Sequence, residues 1–194
     1  WMTDDAESDW ARVISIGGGP TAGLAATQDV GDEVAVAFEH GDFNRPFVLG
    51  GLWNGQHAIP PEVSGAGSGE KPLVRTWQSR TGHYLAMYDN ADNKIFLTTA
   101  GGHSVLFDDA NKKVEIVTTG GHNILLDDQG KKAEVSSSGG HKITLDDNGR
   151  KISIDSSGDI QIKSAANLKL EAGAMLDIKA SGPVNIKGAM VNLN

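Results

Sequence analysis

The sequence contains no cysteine, few aromatic residues and no long apolar run. The absence of cysteine excludes disulfides and thiolate zinc sites, and it fits synthesis in a reducing compartment. Aromatic residues make up 6% and all hydrophobic residues 39% of the chain, which argues against a large independent globular core. No apolar stretch approaches the roughly 20 residues of a membrane-spanning helix. No basic-plus-apolar signal peptide opens the chain, so we expect assembly in the cytoplasm and any exit from the cell by another route.

Positive charge is also scarce, because 17 lysines and arginines stand against 25 acidic residues and give a formal net charge of −8. This balance disfavours a nucleic-acid partner, which needs a basic stripe, and simple adhesion to anionic lipid. Gly17-Gly18-Gly19 is not followed by the G-K-[ST] of a phosphate loop, and no serine lies in G-x-S-x-G. We therefore expect no enzymatic activity, no catalytic residue and no cofactor.

A glycine–histidine motif repeats through residues 81–158. Its histidines, spaced 20, 19 and 19 residues apart, are His83, His103, His122 and His141. A fixed period predicts a stacked or solenoidal architecture. Each unit has two segments of alternating apolar and polar residues around a polar turn, which is typical of short strands joined by tight turns.

Apolar residues at i and i+2 share one face of a strand, and from Gly158 onward such pairs recur every eight residues. An eight-residue period accommodates one strand and one turn, and it offers only two side chains to one side. The apolar core that we predict in both kinds of repeat consists of Val105, Phe107, Ile124, Leu126, Ile143, Leu145, Ile152, Ile154, Ile160, Ile162, Leu168, Leu170, Leu176, Ile178, Val184 and Ile186.

One strand per period cannot enclose a core within a single chain, so other copies must supply the missing walls. A closed ring of chains also removes exposed strand edges. Because three chains around one axis give the simplest closure, we predict a homotrimer with an intertwined, triple-stranded β-helix needle. A monomeric β-roll with one 19-residue unit per coil is an alternative, but the eight-residue periods argue against it.

The N-terminal region predicts a small all-β barrel. Residues 11–16 alternate as a strand, and residues 30–55 predict a hairpin. The side chains that we expect to share a face are Val34, Val36 and Phe38 in its first strand, and Phe47 and Leu49 in its second. Three or more short strands in about 50 residues are typical of such a barrel.

The run DWARV and the later VGDEVAVAFEHGDFNRPFVLGGLWNG resemble the OB-fold domain of contractile-injection-system spike proteins. This family includes the VgrG proteins of type VI secretion and the baseplate spikes, of the assembly-protein-V type, of contractile phages and extracellular injection systems. The segments RTGHYLAMYDN and GGHNILLDD resemble the start of the β-helical needle in the same family. Family OB-folds usually carry a further strand before the tryptophan that matches Trp1, so we expect upstream sequence to be missing.

The resemblance implies an OB-fold at 1–56 that lacks its first strand, a neck at 57–80 and a needle at 81–194. Within the needle, the 19-residue repeats run over 81–158 and the eight-residue repeats over 159–194.

The resemblance also implies a function and partners. We expect a trimeric, membrane-piercing central spike with hub, baseplate and tail-tube proteins at its N-terminal end. A PAAR-type tip protein, with effectors attached through it, is expected at the C-terminal end, where the contact residues would be Val191, Leu193 and Asn194. Such a spike joins the baseplate and is later ejected towards the target-cell membrane.

Two sets of side chains invite a chemical interpretation. His103, His122 and His141 are weak metal-site candidates, because threefold symmetry would bring imidazoles together, but each level lacks a second local ligand. The acid pairs Asp108-Asp109, Asp127-Asp128 and Asp146-Asp147 suit calcium or glycoside chemistry. They recur every 19 residues before a turn, however, so we predict turn residues and solvent-exposed charges, and no metal.

The alternative function is a β-helical tail fibre that binds or degrades glycans. It would need a wide groove lined by aromatic residues, and the repeats offer few aromatic side chains beyond Tyr84, Tyr88 and Phe96. A glycan-array or depolymerase assay separates it from the spike.

Overall fold

A computed structural model describes residues 10–56, 58–60, 63 and 73–192. Trp1, most of the neck, Leu193 and Asn194 lie outside this range. The predicted all-β class is confirmed, because the described residues form twelve strands in two sheets, together with one 3-10 turn. In the same residues, no helix has the length and apolarity needed to cross a bilayer. The chain up to Asp155 forms one compact unit, and Ser156–Asn194 forms a second.

The N-terminal sheet has the strand order β1-β3-β2, with β1 at Arg12–Val13, β2 at Val34–Phe38 and β3 at Pro46–Gly51. The predicted hairpin is confirmed, because β2 pairs antiparallel with β3, whereas β1 pairs parallel with β3. A bulge beside Ala35 shifts the register, so that Val36 lies opposite Val48 and the strand pair twists more strongly.

The hairpin loop begins with the 3-10 turn Glu39–Gly41 and is held by charge and ring contacts. Glu39 accepts a hydrogen bond from the Arg12 guanidinium at 2.9 Å, which ties β1 to the loop. The rings of Phe38 and Phe43 lie 4.8 Å apart between centroids and tilted by 60°. Edge-to-face geometry of this kind is favourable for aromatic pairs.

The second sheet is a meander in which nine strands of five residues follow one another in sequence order, each antiparallel to its neighbours. The strands are β4 (Val74–Gln78), β5 (Tyr84–Tyr88), β6 (Lys94–Thr98), β7 (Ser104–Asp108), β8 (Lys113–Val117), β9 (Asn123–Asp127), β10 (Lys132–Ser136), β11 (Lys142–Asp146) and β12 (Lys151–Asp155). Each 19-residue repeat therefore contributes two strands and two turns.

The second unit has a different rhythm. Its backbone bends at Ser157, Ala165, Gly173, Ser181 and Ala189, once in every eight residues, and the segments between the bends have no regular secondary structure. Ser164 stabilises one bend, since its hydroxyl donates to the Asn167 carbonyl at 3.0 Å. In residues 156–192 no strand pairing forms within the chain.

Candidate assembly surface

Two continuous rows of side chains cover one face of the nine-stranded sheet. The register places Trp77, Leu85, Leu97, Val105, Ile116, Ile124, Val135, Ile143 and Ile154 opposite one another in the first row. The second row consists of Arg75, Met87, Ile95, Phe107, Val114, Leu126, Ala133, Leu145 and Ile152. We call this surface the apolar face.

The apolar face is open to solvent in the single chain. Phe107 is 48% exposed, Leu126 50% and Ile154 57%. Among the residues that the structure describes, Ala86 is the only apolar residue that is buried, at 0% exposure. Monomeric proteins rarely leave so large a contiguous apolar surface uncovered, so such a surface indicates an association site.

Eight of the predicted core residues lie in these two rows, on β7, β9, β11 and β12. The sequence analysis assigned no core residue to β4–β6. Two pairs in these strands nevertheless show the i and i+2 spacing of the predicted core residues, namely Leu85 with Met87 and Ile95 with Leu97. The burial of all these residues in a trimer stays a prediction.

The remaining predicted core residues, from Ile160 to Ile186, lie in the second unit. Their side chains are between 52% and 68% exposed, as Val184 and Ile162 illustrate at the two limits. Val191, predicted as a tip-protein contact, is 47% exposed.

The opposite face of the sheet carries a row of alternating charge along one edge. Its members lie directly opposite one another in the order Lys94, Asp108, Lys113, Asp127, Lys132, Asp146 and Lys151. Opposite charges on facing strands stabilise a sheet, and like charges destabilise it. The row begins next to Tyr88, whose ring centroid lies 4.7 Å from the Lys94 ammonium.

The first acid of each predicted pair closes a turn. A carboxylate oxygen of Asp108, Asp127 or Asp146 accepts a hydrogen bond from the backbone N–H three residues later, at 2.9, 2.7 and 2.9 Å respectively. The prediction that these acids are turn residues is confirmed. The expectation that they are solvent-exposed charges is wrong for Asp108, which is buried at 7% exposure. For Asp108, hydrogen bonds from the side chain and backbone of Asn111, together with nearby Lys113 and Lys94, hold the pKa of the carboxyl below its ordinary value.

The histidines lie at the turns along the opposite edge. The Nδ1 atoms of His83 and His103 accept hydrogen bonds from the backbone N–H groups of Ala100 and Thr119, at 3.3 and 3.4 Å. Successive histidine turns are two strands apart, or about 9.6 Å, so neighbouring imidazoles of one chain cannot share a metal ion. In the described part of the chain, three or more potential ligand side chains nowhere gather into a metal-binding group.

A charged contact links the two sheets of the first unit. The Arg80 guanidinium, in the β4–β5 turn, forms ion pairs with Asp29 and Asp32, which precede β2. The hydrogen bond to Asp32 and the charge of both carboxylates raise the pKa of Arg80 above its ordinary value. This exposed contact connects the segment before β2 with the start of the meander, and sequence spacing alone gave no sign of it.

Residues 1–53 match the model of the type VI secretion system/phage-baseplate injector OB domain. A stretch of 62 residues is 42% identical to the type VI secretion system spike protein VgrG5 of Pseudomonas aeruginosa. In this stretch the chain resembles a VgrG protein. The match covers 32% of this chain and 8% of that VgrG protein, so the chain spans a small part of its relative. Both similarities agree with the family resemblance of the sequence.

Proposed function

We propose that this chain is one of three identical copies of the central spike of a contractile injection apparatus. The observation that carries the proposal is the apolar face, which crosses all nine strands and whose side chains are largely exposed among the described residues of the first unit. Three such faces turned towards one axis would bury both rows and leave the charged row outside. Burial of apolar surface on this scale is the dominant favourable term in protein association.

The second unit supports the same assembly. The segments between its bends present an exposed apolar pair in most eight-residue periods, yet residues 156–192 form no strand pairing within the chain. Backbone N–H and C=O groups in an extended segment need partners once they leave water. Neighbouring copies would supply both those hydrogen bonds and the missing sides of the core.

We base the proposed partners of the trimer on the spike proteins that the chain resembles. The N-terminal end would join hub, baseplate and tail-tube proteins, and the C-terminal end near Val191 would carry a PAAR-type tip protein with any effector attached to it. The spike would assemble in the bacterial cytoplasm, enter the baseplate and cross the target-cell membrane on ejection. The proposed role is mechanical and includes no catalytic step and no nucleic-acid partner.

Light scattering of the purified chain tests the assembly. We expect a mass of about 61 kDa, three times the 20.4 kDa of one chain, at micromolar concentration and without added metal. A mass near 20.4 kDa would contradict the proposal and favour a self-closed β-roll or a glycan-binding fibre.

A further inference from the structure

The apolar face contains one charged residue. Its two rows have two positions on each of nine strands, and of these eighteen positions Arg75 alone carries a charge. Arg75 lies on β4 directly opposite Met87 and in the same strand as Trp77. Its guanidinium forms an ion pair with Asp89, the residue that follows β5. Because Asp89 is two residues beyond Met87, its side chain lies on the same side of the sheet.

The rest of the apolar face is periodic, and a periodic surface does not define how copies align. Val105 and Phe107, Ile124 and Leu126, and Ile143 and Leu145 recur on every second strand. A copy displaced by one hairpin, about 9.6 Å along the stack of strands, would therefore meet an almost equivalent apolar surface. Hydrophobic burial alone barely distinguishes the two alignments.

We propose that the Arg75–Asp89 ion pair sets the axial alignment of the copies. This inference rests on the proposed trimer and assigns a specific role to two residues in it. When the copies are in register, the three Arg75–Asp89 pairs lie at one level, and each charge has opposite charges of the neighbouring copies close to it. In a displaced copy, the pair would be covered by the apolar residues of its neighbours. A buried ion pair without polar partners is costly, and a single polar layer in an apolar interface is a known means of fixing register.

The test uses the full chain and exploits its lack of cysteine. A single Asn148→Cys substitution in the β11–β12 turn carries one spin label per chain, and pulsed dipolar spectroscopy measures the distances between labels. The labelled protein that keeps Arg75 and Asp89 is expected to give one narrow distance between spin labels. Replacement of both charges, by Arg75→Met with Asp89→Leu, should leave the mass near 61 kDa and add a second, longer distance from copies offset by about 9.6 Å.

The matched control is an ion pair of the opposite face, where Lys142 lies 2.8 Å from Glu134. Lys142→Met with Glu134→Leu should keep the single distance. A trimeric Arg75→Met/Asp89→Leu variant with one unchanged distance would overturn the alignment role and leave the trimer intact. A wild-type monomer would overturn the trimer and the alignment together. If the Arg75→Met/Asp89→Leu variant does not assemble, the variant with exchanged charges, Arg75→Asp with Asp89→Arg, provides the test. One distance between labels would support the alignment role, and two distances would refute it.

Discussion

Ile143→Asp places a carboxylate in the middle of the apolar face and tests whether this face lies inside the assembly. Full burial of an isoleucine side chain contributes about 1.5–3 kcal/mol. Ile143 keeps 44% of its surface exposed in the single chain, so association would add about 0.7–1.3 kcal/mol per chain and about 2–4 kcal/mol for three chains. An aspartate forfeits this term and adds a desolvation cost of several kcal/mol for each buried charge.

For three chains the penalty is on the order of 10 kcal/mol, which weakens trimer formation by about 10⁷-fold. Light scattering of the variant should therefore give a mass near 20.4 kDa. The matched control is Ser153→Asp, the same new charge on the opposite face of the next strand, which should leave the trimer unchanged. An Ile143→Asp protein that remains a trimer with the wild-type thermal midpoint would refute the placement of this face at the axis.

Two further substitutions test the turns. Asp108→Asn should lower the free energy of unfolding at pH 7. The pKa of Asp108 in the folded protein lies below its ordinary value, so the carboxylate stabilises the fold at any pH above that ordinary value. This contribution disappears as the pH falls through the folded-state pKa. The free energies of unfolding of the variant and the wild type, measured by denaturant titration, should therefore converge at acid pH. The control Asp128→Asn changes an exposed side chain and should match the wild type at every pH. An Asp108→Asn protein that is still less stable than the wild type at acid pH would contradict the charge argument. Gly121→Ala should destabilise by about 1–3 kcal/mol, because Gly121 has a φ of 82° and a new Cβ would lie 3.2 Å from the Ser138 Cβ. The control is Gly120→Ala, because a Cβ at Gly120 would lie 3.6 Å from its nearest neighbour and the φ of Gly120 is not positive. This variant should keep a thermal midpoint close to that of the wild type. Equal thermal midpoints for the two variants would contradict this explanation.

Much of the meander was predictable from the sequence because its signals are local. The alternation of Ile143 and Leu145 determines which face they share, and Asp146 with Gly149 determines where the strand ends. The left-handed residues that close these turns, Lys112 and Lys131, have φ angles of 52° and 50° and recur at the repeat period. Period and parity therefore indicated the same strands, whereas turn chemistry did not predict that the left-handed conformation would fall on Lys131 and Arg150 and not on the glycine before each of them.

The features that the sequence did not predict depend on residues far apart in the chain. Arg80 pairs with Asp29 and Asp32 across about 50 residues, and no local pattern marks that distance. The bulge beside Ala35 changes which side chain of β3 faces Val36, and a count of alternating residues does not reveal an extra residue in one strand. The charged position Arg75 becomes visible only when the register aligns β4 with the other strands.

The consecutive order of the nine strands has a consequence for folding kinetics. Every strand of the meander bonds only to the strands that precede and follow it in the chain, so no long loop has to close before pairing begins. Sheets built from such short-range contacts fold faster than sheets with distant partners. The meander can therefore grow hairpin by hairpin as the chain leaves the ribosome. Under the proposed assembly, the rate of maturation would then depend on protein concentration, because the encounter of three chains follows as the slow step.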